Sequence, residues 1–179
     1  MLASPAPCSR VTPVNNCWEA GSKMIITGES FVRALEQNGA LGVYAPLEGG
    51  YEGRYQRRLR AAGYGMLHIT ARGLGDISAY LLDTHGVRPA HLGKKDIERT
   101  GSVGYRYFVP PMALQQLELL PASSKGLVIW LLEGMILSQQ ELEFLVQLPT
   151  MEPRIKVIVE LGGDRVFSWK PLTTCLAAA

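Results

Sequence analysis

The chain has 179 residues, of which 47% are apolar and 19% charged, and a formal net charge of +2. That length suits one domain able to bury roughly 70% of the surface its unfolded form exposes, and the composition excludes a disordered chain. Three cysteines with no CxxC pair exclude a disulfide framework, and the longest apolar stretch, Leu127 to Leu137, is broken by Glu133 and Gly134 and falls short of the roughly 20 residues a membrane-spanning helix needs.

Residues 1 to 23 contain three prolines and no continuous apolar core, so they fail as a secretory signal. They are expected to be a flexible or upstream-extended N-terminal extension, with a transit peptide as the alternative that their low acid content permits. Residues 24 to 179 are expected to form a single domain. Thr27 can cap a helix from Gly28 to Asn38 that turns Phe31, Val32 and Leu35 to one side, and Gly39 stops it. Leu41, Val43 and Ala45 alternate with Gly42 and Tyr44 in the period of a strand. Beyond a turn rich in glycine, the stripe Tyr51, Tyr55, Leu59, Ala62 predicts a helix whose remaining surface carries Arg54, Arg57, Arg58 and Arg60. Gly63 supplies its left-handed stop. Tyr64 to Thr70 reads as a strand, and Asp76 caps a helix running to about His85.

Residues 86 to 102 show no periodicity and read as a long connecting loop. Tyr105 to Val109 reads as a strand ended by Pro110-Pro111. Leu127 to Leu132 is the apolar run of a strand covered on both faces. Ser138 with Glu141 forms a capping box for a helix from Gln139 to Leu148, with Leu142, Leu145 and Val146 inward and Pro149 following it. Ile155, Val157, Val159 and Leu161 alternate with Arg154, Lys156 and Glu160, and Gly162-Gly163-Asp164 then turns the chain into Val166 to Lys170. The expected fold is therefore single-domain α/β, a mixed β-sheet with packed helices and a C-terminal β-hairpin.

No constellation for catalysis emerges. Gly49-Gly50-x-x-Gly53, between a strand and a helix, has the form of a phosphate-cradling loop, but Glu48 and Glu52 place negative charge where phosphate would sit and no GKS or GKT follows. A tight turn accounts for it better. Gly73-x-Gly75-Asp76 ends in a helix cap. His85 suits a helix C-terminus, and its pairing with His91 and Asp83 on a metal lacks any ligand spacing. Glu141 and Glu143, two residues apart on a helix, do not face each other. Cys8, Cys17 and Cys175 cannot supply the four ligands of an iron-sulfur cluster, so no cofactor is expected in this chain. Trp130 and Trp169 are expected to pack in the core or at its edge.

Charge is unevenly spread: residues 1 to 51 carry −1, residues 52 to 106 carry +5 and residues 107 to 179 carry −2. A basic band suits an acidic protein surface or anionic headgroups, and equally a solvated face. The arginine-loaded helix admits nucleic acid, solvent or a protein partner. No nucleic-acid motif is present, and Arg and Tyr are the residue types enriched at protein-protein hot spots.

Five segments carry a family resemblance: ALGVYAPLEGGYEGRYQRRLRAAGYGMLHITARGLGD with HGVRPAHLGKK, then KGLVIWLLEG, LSQQELEFLVQLP, EPRIKVIVELGGDR and SWKPL. In wording and order they resemble subunit N of the NAD(P)H-quinone oxidoreductase of oxygenic phototrophs, from about Met24 to Leu172. The resemblance implies an accessory, non-catalytic subunit of the peripheral arm, on the cytoplasmic or stromal face of the thylakoid membrane. It implies a complex that passes electrons, mostly from ferredoxin, through iron-sulfur clusters of other subunits to plastoquinone, coupled to proton pumping. Partners are then other subunits of that arm, with membrane association through the complex alone and no nucleic acid. Candidate subunit-interface residues are Tyr51, Arg54, Tyr55, Arg57 and Arg58, joined from the rest of the basic band by Arg72, Arg88, His91 and Lys94.

Overall fold

The computed structural model describes residues 28–46, 51–87, 95–97, 101–103 and 107–176. Helix α1 (Gly28–Asn38) leads into strand β1 (Ala40–Ala45), and α2 (Tyr51–Ala61) into β2 (Tyr64–Thr70). Local signals account for these bounds: Gly39, next after α1, and Gly63, two residues after α2, take positive φ values of 73° and 95°, a geometry side chains resist. The Thr27 cap and the turn at Gly49 and Gly50 lie outside the described residues.

Helix α3 (Ile77–Leu82) begins as expected, with the Asp76 carboxylate accepting from the backbone of Ser78 at 2.9 Å and of Ala79 at 3.3 Å. It ends sooner than expected. Asp83 is already extended, and His85 lies in β3 (His85–Val87), not at a helix end, because it pairs with Val109 of β6 (Tyr107–Val109). The stretch read as an unstructured loop also contains β4 (Lys95–Ile97) and β5 (Gly101–Val103), paired antiparallel. A further element, α4 (Met112–Glu118), follows Pro110-Pro111 and was not anticipated.

Strand β7 (Gly126–Leu132) is buried through its first six residues, as its apolar run requires. After it come a 3-10 turn (Gly134–Ile136), helix α5 (Gln139–Met151) and strand β8 (Ile155–Gly163). The capping box at Ser138 and Glu141 is present. Pro149 does not stop α5. It occupies the last turn at the cost of the hydrogen bond its N–H would have given to the Leu145 carbonyl, Glu152 closes the helix by donating to the Leu148 carbonyl at 2.9 Å, and the ring lies against Gly39. Strand β9 (Ser168–Pro171) and helix α6 (Leu172–Leu176) are the last of the described elements.

The expected α/β class holds, with the main sheet in the order β2-β7-β8-β1-β9. Four strands run parallel, and β9 pairs antiparallel with β1 alone. Both C-terminal strands therefore form, but they do not make the expected hairpin, since β1 lies between them. Val157, Ile158 and Val159 are all fully buried, so β8 needs covering on both faces and a neighbour on each side; β9, short and ending in Pro171, suits an edge. β1 is likewise buried on both faces from Ala40 to Val43 rather than alternating with solvent.

Helices cover both faces of the sheet. On one, Phe31 and Leu35 of α1 and Tyr55 and Leu59 of α2 pack on Leu41, Val43, Val128, Trp130 and Ile158. On the other, Ile77, Leu81, Ala113, Leu117, Leu145, Leu148 and Leu172 from α3 to α6 pack on Leu127, Ile129, Leu131, Ile155, Val157 and Val159. Odd-numbered residues of β7 and β8 enter one core and even-numbered ones the other, the period-two alternation of a strand. The Trp130 indole, buried as expected, donates to Glu160 Oε1 at 2.7 Å, and Trp169 sits half-buried against Phe31 at 5.2 Å between centroids.

Candidate functional site

Helix α2 divides its residues sharply. Tyr55 and Leu59, four apart, point into the sheet, while Arg54, Arg57, Arg58 and Arg60 remain exposed. Tyr55 was expected at a subunit interface. It is 3% exposed, its ring stacked on Phe167 at 4.0 Å and edge-on to Phe31 at 4.9 Å, which places it in the core of this chain. A tyrosine at helical spacing from a leucine carries the same signal whether its face meets a sheet or another protein, and sequence alone does not separate the two.

The other candidates divide by position. Arg54, Arg57 and Arg58 share one helix, with the Arg57 Nε–H donating back to the Gly53 carbonyl at 3.1 Å. Arg72 stands apart from them on the loop after β2, where it bridges Glu133 at 3.4 Å. Glu133 itself holds a left-handed backbone, φ 56° and ψ 34°, unusual for a residue with a side chain. The Tyr51 side chain and residues Arg88, His91 and Lys94 lie outside the described residues.

Two residues outside the interface candidates join Arg54, Arg57 and Arg58. Arg60 continues the same helix, and Arg33 of α1 lines, with Arg58, a groove between the two helices of about 380 Å³. Arg33 was legible as an exposed helix position, but only the packing of α1 on α2 brings it to Arg58. At the groove's end Lys125 Nζ and the Tyr64 hydroxyl both donate to Glu36 Oε1, each at 3.1 Å. The hydrogen bond from Lys125, before any other cause, holds the Glu36 carboxyl below its usual range, while burial and then the Glu36 charge push the Tyr64 phenol up to about 12.

The alternative chemistries find little support in this geometry. Gly53 lies in the first turn of α2 rather than in a loop, and Gly49 and Gly50 lie outside the described residues. His85 and Asp83 bring no further ligand, and among the described residues no group of three or more His, Cys, Asp or Glu converges. The Cys175 thiol donates to the Pro171 carbonyl at 3.6 Å and accepts from the Tyr44 hydroxyl at 3.9 Å, while Cys8 and Cys17 lie outside the described residues. Glu141 is committed to its cap and Glu143 accepts from Gln139 at 3.0 Å. No described helix is long and apolar enough to cross a membrane.

Residues 22–174 match the family model described as NADH-quinone oxidoreductase cyanobacterial subunit N. The chain is 66% identical over 156 residues to the NAD(P)H-quinone oxidoreductase subunit N of Crocosphaera subtropica, covering 87% of this chain and 99% of that protein. It is 64% identical to that of Microcystis aeruginosa, with the same coverage, and 63% identical to that of Synechocystis, covering 87% and 97%. A match spanning both helical layers and the whole five-stranded sheet shows that this chain belongs to the family of NADH-quinone oxidoreductase cyanobacterial subunit N.

Proposed function

We propose that the chain acts as a non-catalytic accessory subunit of the peripheral arm of the thylakoid oxidoreductase and joins neighbouring subunits through the arginine face of α2. On this reading the chain holds no redox centre. Electrons from ferredoxin cross iron-sulfur clusters of other subunits to plastoquinone, and this subunit stabilises the arm on the cytoplasmic or stromal side of the membrane.

The observation that carries the reading is the contrast within α2. Its inner face is spent on the core, whereas its outer face presents four guanidiniums that form no ion pair among the described residues. Like charges one turn apart repel, and the sequence tolerates that cost where a partner supplies carboxylates.

Replacing Arg54, Arg57 and Arg58 together with alanine tests it. Exposed helix positions shift stability by under about 0.5 kcal/mol each, so the Arg54 and Arg57 changes should leave the isolated fold nearly unchanged, and any larger loss traces to Arg58, whose stem packs beside Gly28. Subunit occupancy in membranes should fall, because truncation strands partner charges at about 2 to 5 kcal/mol per pair. Normal abundance of the complex beside a wild-type strain would return the face to solvent.

A further inference from the structure

Helices α1 and α2 cross so closely that a Cβ at Gly28 would overlap the Arg58 side-chain stem. Beyond the crossing they flank an open groove lined by Val32, Ala61 and Ala62, with Arg33 contributed by α1 and Arg58 by α2. Its two lining carboxylates differ in standing. Glu36 is engaged by Lys125 and Tyr64, whereas Glu29 makes no ion pair among the described residues. Arg33 and Arg58 likewise lack a carboxylate partner among those residues, although both are exposed and face one concavity.

We propose that this groove is a socket for a carboxylate side chain. An acidic segment of a neighbouring subunit places an Asp or Glu between Arg33 and Arg58 and an adjacent apolar residue on Val32, Ala61 and Ala62. Guanidinium forks match carboxylates bidentately, and a small apolar lining beside them is the setting in which such contacts are shielded from water. Charge decides the class of occupant. With Glu36 neutralised by Lys125, Arg33 and Arg58 against the remaining Glu29 leave one net positive charge, enough for one carboxylate and too little for a continuous polyanion such as nucleic acid or a lipid surface. The inference rests on the docking role of α2 and extends that surface to α1, which the arginines of α2 alone do not require.

The test titrates the full chain onto detergent-solubilised complex from a strain that lacks it. Arg33→Glu and Arg58→Glu should each weaken binding at least about 30-fold, with Arg33→Lys between them and wild type and with the melting curves of both Arg33 variants unchanged. Wild-type binding by Arg33→Glu alongside weakened Arg54→Glu would sink the socket and leave the α2 reading standing. Wild-type binding by all of them would sink both. Retained complex binding with loss of affinity for phosphatidylglycerol vesicles would reassign the groove to a lipid surface and overturn the proposal. Because the Arg58 stem packs on Gly28 and its replacement could disturb the crossing, the Arg33 result is decisive where the two disagree.

Discussion

The two helical layers bury similar side chains inward and differ in what they turn outward. Helices α1 and α2 carry five arginines against three glutamates, whereas α3 to α6 carry three glutamates and no lysine or arginine. On the α3 to α6 side the polar groups serve their own elements: Asp76 caps α3, and Ser138 and Glu141 cap α5. On the α1 and α2 side most guanidiniums are left without local work. Charge that satisfies a helix end belongs to the fold, and charge that satisfies nothing within the fold points toward a partner.

The largest effect probes the inside of both layers. Leu59→Ala under α2 and Leu145→Ala under α5 each remove a fully buried side chain and should each cost about 2 to 5 kcal/mol by urea unfolding. Equal costs would place the difference between the layers on their outer surfaces alone. A loss under 1 kcal/mol for Leu59→Ala would show instead that α2 is held by its partner rather than by the sheet.

A smaller effect concerns the joint between α1 and β2. Because the Tyr64 phenol lies at about 12 in the fold and near 10 when unfolded, the neutral form is the one the fold favours. Its contribution is complete below pH 10 and lost as pH rises toward 12. Tyr64→Phe should lower stability near neutrality by about 1 kcal/mol, one hydrogen bond, and flatten this part of the alkaline decline. Parallel alkaline profiles for the two proteins would remove Tyr64 from the joint.

The smallest effect concerns the extension. Residues 1 to 23 precede α1, and deleting them should change neither melting temperature nor incorporation into the complex. A drop of several degrees would show that the extension packs on the domain and that the α1 side has a cover of its own.

What could be read directly from the residues was whatever short-range chemistry enforces. Gly39 and Gly63 ended their helices because only glycine enters the left-handed region freely, Asp76 and Ser138 began theirs by accepting backbone N–H groups, and the unbroken apolar run from Leu127 marked a strand buried on both faces. Helix α4 had a local signal too, Ala113 and Leu117 four apart behind Pro111, obscured by its shortness. Strand β6 was legible in the run from Tyr105 to Val109 before Pro110-Pro111, whereas β3, β4 and β5 had no local signal, since three-residue strands exist only through their partners. Strand order, the placing of β1 between β8 and β9, the turn of Tyr55 into the core and the meeting of Arg33 with Arg58 all depended on burial between residues far apart in the chain. A period of 2 or 3.6 states that a face is covered; only the packed tertiary structure decides whether a sheet, a second helix or another protein covers it.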